Sequence, residues 1–170
     1  MKFDIKITEK DMYQFNLYHT YHTFNGIISV VVGIFVFVVC YLVRDRLAPT
    51  DVVLYIVLGV ALLLYSPVSL LMRSKAQVRG SVVLQNALTY EFKDEGVLVS
   101  TNAVEAGEES SALLTWENVY KIVETKKQLL IYSSRVNAYV IPLEQLGTQK
   151  DELKSYIKER TDDFRLSFKK

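Results

Sequence analysis

The chain has 170 residues and nearly balanced charge, 20 Lys and Arg against 19 Asp and Glu, so it lacks the basic excess of a nucleic-acid-binding surface. Nucleic acid is therefore not expected as a partner, and the single cysteine, Cys40, excludes an intrachain disulfide or a cysteine-built zinc cluster. Roughly a quarter of the length lies in two uncharged apolar runs, residues 20–43 and 52–72, which leaves room for one soluble module of modest size.

At the start, Phe3, Ile5 and Ile7 alternate with Asp4 and Lys6, the period-two pattern of a half-buried strand. Thr8 then stands at an N-cap position with Glu9 and Asp11 in the first turn, so a helix is expected from Glu9. It should run unbroken into the first apolar run, through a stretch holding Tyr13, Phe15, Tyr18, Tyr21 and Phe24, rings of the kind that gather at a lipid–water interface.

Each apolar run is long enough to cross about 30 Å of hydrocarbon as a helix of roughly 20 residues. The first span, residues 26–43, is rich in Val and Ile, but a lone strand would leave its backbone unpaired in lipid, so helix is expected. A cleaved signal does not fit, because Asp4, Glu9 and Asp11 precede the run and Arg44 follows it where small residues are required. A lipoprotein site at Cys40 fails for want of a small residue in Phe37-Val38-Val39. Two buried helices of a soluble bundle are the competing account, yet soluble helices rarely lack polar residues all round.

Ser29 and Gly33 share one face of the first span and form the expected helix–helix contact, small residues that permit close approach of the second span. Only residues 44–51 join the spans, so an antiparallel hairpin is expected. Pro67 in the second span, residues 52–72, predicts a kink near residues 63–66. Arg73, Lys75 and Arg79, with the more distant Lys6 and Lys10, outweigh Arg44 and Arg46 in the connecting loop, which places both termini in the cytoplasm of a multi-pass protein of the bacterial cytoplasmic membrane.

Beyond a linker or helix extension at 73–85, short alternating runs set in, and residues 86–170 read as a cytosolic domain. Strands are expected at 88–92 and 97–101 around the turn Lys93-Asp94-Glu95-Gly96, then at 112–116, 119–124, 128–133 and 138–141. Leu153, Tyr156 and Ile157 share one face of a closing helix that begins near residue 150. The expected class is an α+β membrane protein: residues 1–25 form a strand and interfacial helix, 26–72 a transmembrane hairpin, and 86–170 a small antiparallel β-barrel or sandwich capped by the C-terminal helix.

Tyr90-Glu91-Phe92-Lys93-Asp94-Glu95-Gly96-Val97, then Leu114-Thr115-Trp116-Glu117-Asn118-Val119-Tyr120-Lys121-Ile122, Leu130-Ile131-Tyr132 and Val140-Ile141-Pro142 follow one another in an order and spacing that resemble the YcxB-like family of small bacterial membrane proteins. The resemblance covers nearly the whole chain. It implies a pleckstrin-homology-like fold for the C-terminal domain and implies no established activity. Where the family often has basic residues after the proline, this chain has Leu143-Glu144-Gln145, which removes the basis for an anion site there.

His19 and His22 lie at i, i+3 on one helix face, but two imidazoles without a neighbouring carboxylate or thiol make no metal site. No Ser/His/Asp arrangement, phosphate loop or paired-carboxylate motif appears, so neither catalytic residues nor a cofactor are expected. Glu105, Glu108 and Glu109 lack the alternate ligand spacing of an EF-hand. With Asn102 and Gly107 they form an exposed loop, expected to be an interaction loop because binding residues concentrate in loops on a rigid scaffold. Trp116 is expected in the core. The turn at 93–96 is net acidic, against phosphoinositide binding, and the tail 164–170 suits a membrane surface, a sheet edge or a disordered end.

The expected role is that of a non-enzymatic membrane protein presenting a binding domain as an adaptor, its partners the lipid bilayer and an unidentified protein, a second copy included. Protection against a membrane-active peptide is the alternative. An enzyme or transporter component ranks last, since neither span carries an acidic or basic side chain of the kind that marks a transport path.

Overall fold

The computed structural model describes residues 1–101 and 110–168. Its elements are β1 (Lys2–Ile5), α1 (Glu9–Tyr21), α2 (Phe24–Val43), α3 (Pro49–Gly80), α4 (Val82–Gln85), β2 (Leu88–Lys93), β3 (Gly96–Thr101), β4 (Ser110–Thr115), β5 (Lys121–Glu124), β6 (Gln128–Tyr132), β7 (Ala138–Pro142), α5 (Lys150–Lys158) and β8 (Leu166–Ser167), joined in places by short 3₁₀ turns. They fall into two compact units, Met1–Met12 with Ala76–Lys170, and Tyr13–Lys75.

In the helical unit, α2 and α3 are the two helices long and apolar enough to cross a membrane. A Cβ on Gly33 would meet Leu63 Cδ2 at 2.5 Å, and one on Gly59 would meet Phe37 Cζ at 2.6 Å. The partner numbers rise on one helix as they fall on the other, so the pair is antiparallel, with the glycines admitting the larger side chains opposite. The remaining surface is apolar and open: Phe35 is 62% exposed, Leu42 72%, Leu54 66% and Met72 68%. A polar lock lies at one end, where Asn16 Nδ2 donates to Ser74 Oγ at 2.8 Å and that hydroxyl donates to the Leu70 carbonyl at 2.7 Å.

The helix expected to pass unbroken from Glu9 into the first span is interrupted at His22 and Thr23. Thr23 is extended (φ −110°, ψ 155°), and its hydroxyl donates to the Thr20 carbonyl at 2.7 Å. A threonine hydroxyl that takes up a nearby carbonyl competes with the helical ladder, which is why such residues favour helix ends. Gly26 completes the turn, since a Cβ there would collide with the Thr20 carbonyl. Pro67, by contrast, lies inside α3, which is assigned as one helix across it.

In the second unit, two four-stranded sheets run β1-β2-β3-β4 and β7-β6-β5-β8. All pairs are antiparallel except β5 with β8. The arrangement is two separate sheets rather than the closed barrel among the expected forms. At Trp116–Asn118 the chain leaves β4 in a 3₁₀ turn, so the ladder of the first sheet ends before β5 starts the second. Trp116 accordingly lies in that turn and not in the expected strand, although it is buried as expected.

The strand expected at 3–7 forms over Lys2–Ile5 and pairs with β2 in the register Phe3↔Tyr90 and Ile5↔Leu88. Three further ties hold the N-terminal segment. Asp11 Oδ2 accepts from the Thr8 amide at 3.0 Å and hydroxyl at 2.6 Å, a reciprocal cap of α1. Gln145 donates to the Lys6 carbonyl at 2.9 Å and accepts from its amide at 3.0 Å, and buried Gln128 donates to the Asp11 carbonyl at 2.7 Å.

All five residues of β6 are buried, as suits a strand covered on both faces. Leu153 and Ile157 of α5 are fully buried with it. A row of rings links the layers: Phe3 to Phe92 at 6.0 Å, Phe92 to Trp116 at 6.4 Å and Trp116 to Tyr156 at 6.5 Å between centroids. Within the tail, Leu166–Ser167 pairs with β5, the expected sheet-edge contact.

Candidate functional site

Alternation along β2 and β3 turns Leu88, Tyr90 and Val99 to the inner face of the first sheet. Tyr139 and Val140 of β7 stand across from them, with Tyr90 and Tyr139 edge to face at 6.3 Å and the Tyr90 hydroxyl donating to the Val140 carbonyl at 3.4 Å. Because β7 ends the second sheet and does not pair with the first, a cleft of about 300 Å³ stays open beside them, bordered also by Leu84, Ile7, Met12 and Gln77. That is the low end of the size of small-molecule sites, about 300–1,000 Å³.

The lining is mainly apolar, with Ser100 and Thr101 adding hydroxyls. Burial pushes the Tyr90 phenol well above its ordinary pKa, with charge interaction with Tyr139 acting in the same direction. Tyr90 therefore remains a neutral donor across the physiological range, and the cleft can hold an apolar group without offering it a base.

Two charged clusters lie elsewhere in this unit. Glu124, on β5, is buried, and its carboxylate meets Lys150 at 2.8 Å and Lys154 at 2.9 Å, both from α5. Burial alone would raise its pKa, but the hydrogen bonds from both lysines prevail and hold it below the ordinary carboxylate value. At the β2–β3 turn, exposed Asp94 accepts from Arg160 at 2.7 Å and from the Tyr156 hydroxyl at 3.3 Å. The Arg160 hydrogen bond lowers the Asp94 pKa, and the same guanidinium lies 3.6 Å over the Tyr156 ring. Both clusters fasten α5 to the sheets.

Of the residues singled out in the sequence, Gly33 faces Leu63, whereas the Ser29 hydroxyl donates within its own helix to the Gly26 carbonyl at 2.9 Å. Asn102, Glu105, Gly107, Glu108 and Glu109 lie outside the described residues. His19 stacks on Phe15 at 5.9 Å and His22 on Tyr18 at 4.0 Å, and the His22 Nδ1 atom is 2.8 Å from the Tyr18 carbonyl. Among the described residues no group of three or more His, Cys, Asp or Glu gathers as a metal site would require. Cys40 is buried on α2.

The cleft was missed by sequence reasoning. Alternation places Leu88, Tyr90 and Val99 on one face, but nothing in the sequence says that β7 stops short of the first sheet or that α4 follows α3.

Residues 92–158 match the model of the family described as YcxB-like protein. No curated protein and no solved structure matches the chain at a significant level. The matched stretch opens in β2 and closes on the last residue of α5, so it takes in the β3 and β7 walls of the cleft, the Glu124 cluster, and Asp94 with Tyr156, but leaves out Leu88, Tyr90 and Arg160. The similarity to the YcxB-like protein family thus lies in residues 92–158, less than half of the chain.

Proposed function

We propose that this chain is a non-enzymatic integral protein of the bacterial cytoplasmic membrane, whose helical hairpin holds a pleckstrin-homology-like YcxB-like domain at the inner face as a protein-binding adaptor. The observation that carries this reading is the pairing of β1 with β2. One strand precedes α2 and α3 and the other follows them, yet both lie in one sheet. A chain that crosses a membrane between two strands of one sheet must cross an even number of times, which fits a two-helix hairpin.

The apolar exposure of α2 and α3 supports membrane insertion, because soluble monomers rarely show contiguous apolar patches beyond a few hundred Å². The excess of Arg73, Lys75 and Arg79 over Arg44 and Arg46 supports cytoplasmic termini. Strands in consecutive order, closed by an amphipathic helix, support the pleckstrin-homology-like reading. The same exposed helix faces favour the second reading, protection against a membrane-active peptide.

Crosslinking of the full chain in native membranes, with mass-spectrometric identification of what is captured, tests the role. The adaptor reading expects a protein partner attached through the sheet domain. Capture of a secreted peptide on α2 or α3, with no protein on the domain, decides for protection.

A further inference from the structure

We propose that the cleft between the two sheets takes the acyl chain of a bilayer phospholipid. The inference rests on the reading of α2 and α3 as membrane spans and adds a ligand site to it. Three observations converge on this occupant.

The first is chemistry and size. Leu84, Leu88, Tyr90, Val99 and Val140 give an apolar lining to about 300 Å³, room for about ten methylene groups if each takes roughly the 30 Å³ that a water molecule occupies in the liquid. That lining holds no Lys or Arg to pair with a headgroup phosphate, whereas an acyl chain needs only removal from water.

The second is position along the chain. Gln77, at the cleft, follows Met72, the last residue of the second apolar run, by only five residues. Arg73, Lys75 and Arg79 flank it on α3, the positive charge expected where a helix meets anionic headgroups. A domain joined this closely in sequence to a span meets bilayer lipid at a high effective concentration.

The third is an exposed apolar rim. Val83 lines the cleft and is 42% exposed, and the adjacent Val82 is 46% exposed. A peptide strand is the weaker occupant, because it would need the backbone edge of β7, where the Val140 carbonyl already accepts from Tyr90.

The test uses the full chain reconstituted in vesicles of phosphatidylcholine and phosphatidylglycerol, doped with a phospholipid bearing a diazirine near the end of one acyl chain. After irradiation, adducts are expected on α2 and α3 and also on peptides covering 84–99 and 138–140. Ala112 lines the cleft, and the neighbouring Leu113 points to the other face of β4. Ala112→Trp should lower the cleft adducts about tenfold by filling the space that buries the chain, and Leu113→Trp should leave them unchanged. Circular dichroism of both variants checks that the domain is folded.

Adducts confined to α2 and α3 in the folded wild-type protein overturn the proposal while leaving the membrane reading in place. Cleft adducts that persist undiminished in folded Ala112→Trp also overturn it, as does labelling by a water-soluble diazirine fatty acid but not by the phospholipid. Failure of the protein to float with the vesicles, with no adducts on α2 or α3, overturns the membrane reading itself.

Discussion

Glu124 shows how a charged residue can be buried usefully in so small a domain. Two lysines of α5 hydrogen-bond to it, and the pair of bonds keeps the carboxyl below its ordinary value of 4.5. A carboxyl whose pKa is lower folded than unfolded adds stability above the unfolded value and loses it as pH falls through the folded one. Glu124→Gln should cost about 1.5–3 kcal/mol at pH 7, the usual worth of hydrogen bonds to a charged group. The difference from wild type should shrink as pH falls below 4.5 and on through the lower folded value, where the folded carboxylate takes up its proton. Urea denaturation of both proteins at pH 7 and at acidic pH measures this, and a difference that does not change with pH would assign the effect to packing alone.

Trp116 is the corresponding apolar anchor. It is buried, stacks with Phe92 and donates to the Lys93 carbonyl at 3.0 Å. Trp116→Ala should cost about 3–5 kcal/mol through the cavity it leaves. Trp116→Phe, which keeps an aromatic ring and loses the hydrogen bond, should cost less, and the same denaturation series separates the two.

Among the elements, the helical hairpin turns on Gly33 and Gly59. Each admits a larger side chain from the other helix, so Gly33→Leu should force α2 and α3 apart at a cost of about 1–3 kcal/mol, the range for overpacking. Ser29 bonds within its own helix, and Ser29→Leu should have the smaller effect. Spin labels at the exposed positions Leu42 and Leu54 report the spacing: the distance distribution should broaden in Gly33→Leu and stay narrow in Ser29→Leu. Equal broadening in both would place the contact elsewhere.

The elements also show where local sequence informs and where it stops. Alternation located β2 and β3 to within a residue or two, and short apolar runs between turn residues did the same for β6 and β7. The break at Thr23 was not legible, since it depends on one hydroxyl choosing the Thr20 carbonyl over solvent. Closure of the sheets was equally hidden: how β7 meets the first sheet depends on contacts between residues far apart in sequence, such as the Tyr90 hydroxyl on the Val140 carbonyl. The cleft lay beyond sequence reasoning for the same reason, whereas Gly33 was picked out by spacing alone.

For the whole molecule, the pairing of β1 with β2 is the informative link, because it joins the segments on either side of the hairpin. The β1 amides should exchange slowly with solvent when the sheet is formed, as paired strand amides do. Fast exchange throughout β1 in an otherwise folded protein would detach the N-terminal segment and, with it, the argument for an even number of crossings.

A two-site topology reporter tests most directly that the hairpin spans a membrane and presents the sheet domain to the cytoplasm. An enzyme active only in the cytoplasm is fused after Lys170, and in a second version it is inserted within residues 46–50. The account predicts activity for the fusion after Lys170 and silence for the insertion, with both proteins present at similar levels in the membrane fraction. Activity of the loop insertion together with silence at the end would put the domain outside the cell, and activity at both sites would mean that α2 and α3 do not cross the membrane at all.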